Sequence, residues 1–180
     1  MLRTRAGYAG GTLANPTYER SGDHAEAIQI DFDPAQVSYA RLLETFFSSR
    51  HVCRSQTWQR IRSVVFVHSD SQKKIANEAL AARRAENKEV HAEIREAGTF
   101  HIAEDKNQKY MLRAEPELWR EFTAMYPDER DIVNSTAAAR INGLIGLSRR
   151  AVSEEEMRSF GLSPQAAAFL RRQLDFVPAK

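Results

Sequence analysis

The sequence predicts an α+β domain, a mixed β-sheet flanked by helices, followed by an all-helical C-terminal extension. Three observations carry that prediction. Residues Leu2, Thr4 and Ala6, then Ile28, Ile30 and Phe32, then Val90, Ala92 and Ile94 recur with period two, as in half-buried strands. Val64-Val65-Phe66-Val67 is a continuous apolar run, the pattern of a strand covered on both faces. Between and after these segments the apolar spacing changes to that of helices.

Taken in order, the chain opens in a strand, since Arg3 and Arg5 alternate with Leu2, Thr4 and Ala6. A glycine-rich turn, Gly7 to Gly11, leads to a polar stretch punctuated by Asn15-Pro16 and Gly22. The Ile28 strand ends at Asp33-Pro34. Ser38 then caps a helix running to about Ser49, with Leu42, Leu43, Phe46 and Phe47 on one face. Arg50 to Arg60 is polar, lacks periodicity and reads as a loop. Ile61 to His68 reads as a strand, and Ser69-Asp70-Ser71-Gln72 has the spacing of a capping box. The helix it opens runs to about Asn87, with Ile75, Ala79 and Leu80 inward. Gly98 ends the Val90 strand, and Ala103 to Leu112 reads as helix or turn.

The character changes at Glu115, giving an expected division into a core, residues 1–114, and a helical extension, residues 115–180. Leu118, Trp119 and Phe122 suit one helix, and Pro127-Asp128 a turn. Val133 to Leu147 reads as a second helix, with Gly143 and Gly146 as breaks. Ser153 and Ser163-Pro164 open two more.

Composition narrows the function classes. A chain of 180 residues, 42% hydrophobic, is long enough for one domain with a real core. A net charge of +2 gives no reason to expect nucleic acid or an anionic membrane as partner. No apolar run reaches the length of a membrane span, and Met1 to Arg5 lacks the apolar core of a signal peptide. The one cysteine, Cys53, forms no internal disulfide and suits a cytoplasmic setting.

Tyr18, His24 and Glu26 are the groups of the first loop that handle protons or hydrogen-bond an oxyanion. Read from the residues alone, two accounts stand. One is a small polar site on a rigid scaffold; the other is a set of turns with Tyr18 packed and Glu26 solvated.

The ordered blocks Gly7-Tyr8-Ala9-Gly10-Gly11, Asn15-Pro16-Thr17-Tyr18 and Gly22-Asp23-His24-Ala25-Glu26, continued by Asp33-Pro34 and Ser38-Tyr39, resemble the peptide methionine sulfoxide reductases of the A type. The resemblance covers about Leu2 to Leu112. It implies a ferredoxin-like reductase domain that reduces the S-epimer of methionine sulfoxide, free or in proteins. It implies thioredoxin or another thiol as external reductant, with no metal or organic cofactor. By the same resemblance Glu26 is the catalytic acid, Tyr18 donates to the sulfoxide oxygen, and His24 lies in the substrate-binding block. A buried, satisfied histidine is commoner than a catalytic one, so His24 is expected to support the loop.

The match departs from the family in three places. The family's Gly-Cys-Phe-Trp-Gly turn, with its nucleophilic cysteine, is not among these residues. Ile61 stands where a second tyrosine is expected, in Thr57 to Ser63. Lys106-Asn107 replaces Tyr-His in the block Phe100 to Tyr110. Cys53, flanked by Arg50, His51 and Arg54, is either an incidental loop cysteine or a substitute thiol whose pKa its neighbours lower. Three readings follow: a reductase whose N-terminus is recorded too short, a non-catalytic relative that binds methionine-sulfoxide-containing or other protein partners, and an interaction protein working through its helical tail.

Overall fold

The computed structural model describes residues 2–49, 61–86, 89–147 and 152–175. It is α+β, as expected. The elements are β1 (Arg3–Ala9), β2 (Ala25–Asp31), α1 (Tyr39–Phe47), β3 (Ser63–Val67), α2 (Asp70–Glu86), β4 (Ala92–Glu96), β5 (Phe100–Ile102), a 3-10 turn (Asp105–Asn107), α3 (Tyr110–Arg113), α4 (Pro116–Met125), α5 (Glu129–Asn134), α6 (Thr136–Leu147), α7 (Glu154–Ser159) and α8 (Pro164–Asp175). The chain divides into two compact units, Ala6–Glu104 and Met1–Arg5 with Asp105–Lys180.

In the first unit the strands lie in order β2-β1-β5, with β3 and β4 as a separate pair. β1 and β5 are antiparallel, with Gly7 opposite Ile102, Tyr8 opposite His101 and Ala9 opposite Phe100. β3 and β4 are parallel, and α2 lies between them in sequence, as a parallel crossover requires. The local chemistry explains both helices. The Ser38 hydroxyl accepts from the Arg41 N–H at 3.2 Å, capping α1. At α2 the Ser69 hydroxyl accepts from the Gln72 N–H at 3.2 Å, and the Gln72 side chain returns to the His68 N–H at 2.9 Å. The core of this unit is Leu43, Phe47, Val67, Ala76, Leu80, Val90 and Ala92.

The second unit carries its own core, in which Leu112, Leu118, Phe122, Ile132, Ala138, Ile141 and Leu170 are fully enclosed. Lys109 is buried there. Its ammonium donates to the Thr4 carbonyl at 2.5 Å, the Thr4 hydroxyl at 3.2 Å and the Val133 carbonyl at 2.8 Å. Burial, together with the nearby Arg5 charge, lowers its pKa to about 8.

Several expectations are corrected. Ile28 is 63% exposed, because Ala25 is the buried residue of β2 and positions of opposite parity face away from it. β3 is buried at Ser63 and Val67 but only half-buried between them. β5, three residues long, was too short to read as a strand. The helix expected over Val133 to Leu147 is two helices. Ser135 is extended (φ −69°, ψ 132°), and its hydroxyl accepts from the Ala138 N–H at 3.3 Å, starting a new helix. Gly143 and Gly146 do not break α6. The loop expected at Arg50 to Arg60 lies outside the described residues.

Candidate active site

The loop from Gly10 to His24 joins β1 to β2, and its glycines permit close approaches that side chains would block. Gly10 has φ +77°, and a Cβ there would lie 2.6 Å from the Phe66 ring. A Cβ on Gly11 would lie 2.5 Å from the His24 backbone nitrogen and 2.6 Å from Asp23 Oδ1. The chain therefore doubles back so that Gly11 to Leu13 run against Asp23 and His24.

Hydrogen bonds hold that arrangement. His24 is 1% exposed. Its Nδ1 accepts from the Gly11 N–H at 3.2 Å, and its Nε2 lies 2.9 Å from the Leu13 carbonyl oxygen. A carbonyl only accepts, so the ring is the neutral tautomer with its proton on Nε2. The Asp23 carboxylate accepts from the Thr12 N–H at 2.8 Å, the Thr12 hydroxyl at 3.1 Å and the Leu13 N–H at 3.4 Å. The Thr12 backbone bond is the main reason its pKa falls below the usual carboxylate value. The Arg62 guanidinium donates to the Gly10 carbonyl at 3.3 Å and the Asp23 carbonyl at 3.1 Å, fastening both ends of the loop. The His101 ring stands edge-on to His24, with centroids 5.1 Å apart.

Within this frame Tyr18 sits on a local turn. The Thr17 and Arg20 backbones exchange hydrogen bonds at 3.1 Å, and Asn15 adopts a left-handed conformation (φ 52°) before Pro16. Tyr18 is 45% exposed. Its backbone N–H donates to Glu104 Oε1 at 2.8 Å, and the other carboxylate oxygen of Glu104 accepts from the Tyr8 hydroxyl at 2.8 Å. Tyr8 is 2% exposed on β1, so Glu104 ties the loop to the sheet. Glu26, the second residue of β2, is exposed.

Tyr18, His24 and Glu26 stand out in the sequence, whereas Tyr8, Asp23, Arg62 and Glu104 enter only with the structure. Tyr8 and Asp23 lay inside the quoted signature blocks, and Glu104 inside Phe100 to Tyr110, so the signal was present without a role attached. Ile61 is 52% exposed and carries no hydroxyl. Cys53 lies outside the described residues. Among the described residues no group of three or more His, Cys, Asp or Glu side chains is placed to hold a metal ion, and no helix is long and apolar enough to cross a membrane.

A family model described as Peptide methionine sulfoxide reductase matches residues 1–139. The chain belongs to the peptide methionine sulfoxide reductase family. The match continues past Leu112, where the signature blocks end, as far as Ala139 in α6. Peptide methionine sulfoxide reductase A5 of Arabidopsis thaliana is 34% identical over 151 residues, which cover 79% of this chain and 58% of that protein. Peptide methionine sulfoxide reductase MsrA 1 of Mesorhizobium japonicum is 40% identical over 119 residues, covering 62% of this chain and 69% of that protein. The peptide methionine sulfoxide reductase of Drosophila melanogaster is 31% identical over 172 residues, 91% of this chain and 67% of that protein. The chain thus spans little more than half the length of its plant relative. The crystal structure of Mxr1 from Saccharomyces cerevisiae in reduced form shares the fold, with a TM-score of 0.57 at 23% identity, over 63% of this chain and 71% of that one.

Proposed function

We propose that this chain binds a methionine sulfoxide through the loop between β1 and β2 and serves its thiol-dependent reduction, the reaction of a peptide-methionine (S)-S-oxide reductase. In that reaction a thiolate attacks the sulfoxide sulfur and the oxygen is protonated as the S–O bond breaks. A second thiol completes the step. The sulfoxide becomes a thioether, two thiols become a disulfide, and the oxygen leaves as water. The Tyr18 hydroxyl donates a hydrogen bond to the sulfoxide oxygen, and Glu26 is the acid that serves the departing oxygen. His24 holds the loop that carries Tyr18 and leads into the strand that carries Glu26. With one cysteine in these 180 residues, at least one thiol comes from outside them, and thioredoxin or a small dithiol supplies it. A single thiol and a thiol reductant both suit a reducing cytosol.

The observation that carries this reading is the pinned loop. Gly11, Asp23, His24, Arg62 and Glu104 fix a polar segment that carries a half-exposed tyrosine, Tyr18. The test is to titrate the chain with a peptide carrying (S)-methionine sulfoxide and with the same peptide carrying methionine. Preference for the sulfoxide, weakened by Tyr18→Phe and by Glu26→Gln, supports the reading.

A second reading rests on the thiol count: the chain binds sulfoxide-bearing proteins without reducing them. No cysteine occurs among the described residues, and Cys53 is the one candidate in the sequence. Incubation with dithiothreitol and the sulfoxide peptide separates the two. Turnover abolished by Cys53→Ser supports reduction by this chain, whereas binding without turnover supports the second reading.

A further inference from the structure

We infer that Glu104 is the residue that positions Tyr18 for its ligand, acting as a two-oxygen bridge between a buried strand and an exposed loop. The inference rests on the sulfoxide-binding reading above and adds to it a residue in a distant part of the sequence. Glu104 follows β5 directly, and Ala103 beside it donates its N–H to the Ala6 carbonyl at 3.0 Å, so the carboxylate leaves from a strand paired with β1. Its Oε2 takes the Tyr8 hydroxyl at 2.8 Å. Tyr8 itself is enclosed, so that oxygen has a fixed place. Oε1 then takes the Tyr18 N–H at 2.8 Å.

A carboxylate accepting from a main-chain N–H makes a charge-assisted bond, stronger than a neutral one. It acts on the backbone of Tyr18, which sets the direction of the Cα–Cβ bond and hence where the phenol points. The turn at Thr17 and Arg20 shapes the loop locally, but its bonds stay within the loop. The Asp23 and His24 bonds hold Gly11 to Leu13, upstream of the turn. Glu104 refers Tyr18 to the sheet through its bonds to the Tyr18 N–H and the Tyr8 hydroxyl. It does not touch the ligand; it fixes the group that does.

The experiment measures two quantities in the full chain: the dissociation constant for an (S)-methionine sulfoxide peptide, and the hydrogen exchange of the Tyr18 amide. Glu104→Ala is expected to raise the dissociation constant about tenfold, the size of one well-formed hydrogen bond, and to speed exchange at Tyr18. Glu104→Gln keeps an acceptor for the N–H and a polar partner for Tyr8, and is expected to restore binding to within about threefold of the parent. In a Tyr18→Phe background, Glu104→Ala is expected to add little, since the group it positions is gone. Should Glu104→Ala fail to fold, Glu104→Asp, one methylene too short to span both partners, takes its place with the same expected loss. A parent that discriminates sulfoxide from thioether while the Glu104 variants bind as it does overturns the inference and leaves the binding reading intact. A parent that does not discriminate overturns both.

Discussion

His24 donates from Nε2 to the carbonyl oxygen of Leu13 at 2.9 Å, and that bond, with the Gly11 N–H on Nδ1, makes the imidazole a clamp across the first loop. Replacing it by alanine leaves a cavity and takes the partner from two part-buried backbone groups. A fully buried group left without its partner costs about 1–3 kcal/mol, and a part-buried one less. His24→Ala is expected to lower stability by about 2–4 kcal/mol, measured by urea unfolding, and to loosen the loop. A change below about 0.5 kcal/mol, the ordinary range for surface positions, contradicts the clamp.

Two glycines with opposite surroundings give a paired prediction. A methyl on Gly11 collides with the His24 nitrogen and Asp23 Oδ1, neither of which moves without breaking the loop. Gly11→Ala is expected to cost about 2 kcal/mol or more. Gly143 lies inside α6 with open space around its Cβ direction. Gly143→Ala is expected to stabilise by about 0.5–1 kcal/mol, through helix propensity and a less flexible unfolded chain. Thermal unfolding of the two variants should move in opposite directions.

Asp23 sets an acid limit on the loop. Its pKa in the folded chain lies below the usual 3.8, chiefly through the Thr12 backbone N–H. The unfolded chain therefore takes up this proton first as pH falls. The contribution is complete above the unfolded value and is lost as pH drops through the lower folded one. Asp23→Asn is expected to flatten the melting-temperature profile below about pH 4 relative to the parent, with the two profiles running parallel from pH 5 to 7.

Lys109 has the same sign of pH dependence, but as a cost relieved at high pH rather than a gain lost at low pH. Its folded pKa of about 8 lies below the ordinary 10.5, so between those values the unfolded chain holds a proton that the folded chain has released. Stability from this group therefore rises with pH across that window, and its desolvation cost is fully present below pH 8. The parent is expected to gain on Lys109→Met by about 3 kcal/mol between pH 7 and pH 10.5. A stability difference that stays flat over this range contradicts the lowered pKa.

Much of the fold was legible because local chemistry and packing agree. Ser38, Ser69, Ser153 and Ser163 all sit where the sequence places helix starts, and each hydroxyl accepts from a backbone N–H three residues on. What escaped was set by tertiary contacts. The parity of β2 depends on burying Ala25 rather than Ile28, and alternation alone gives a period without saying which phase faces in. Ser135 looked like one more residue of an alanine-rich helix, and its hydroxyl turned out to start a new one. In the candidate site, Tyr18 and His24 stand in motifs visible in the sequence, but the Glu104 bridge spans 86 residues to Tyr18 and 96 to Tyr8. No periodicity reports a contact of that separation.

The most direct measurement is a calorimetric titration of the chain with an (S)-methionine sulfoxide peptide, its methionine counterpart and the Tyr18→Phe variant. The sulfoxide is expected to bind in preference to the thioether, with Tyr18→Phe reducing that preference about tenfold. Equal affinity for the oxidised and reduced peptides, or a preference that Tyr18→Phe leaves untouched, contradicts the sulfoxide-binding reading.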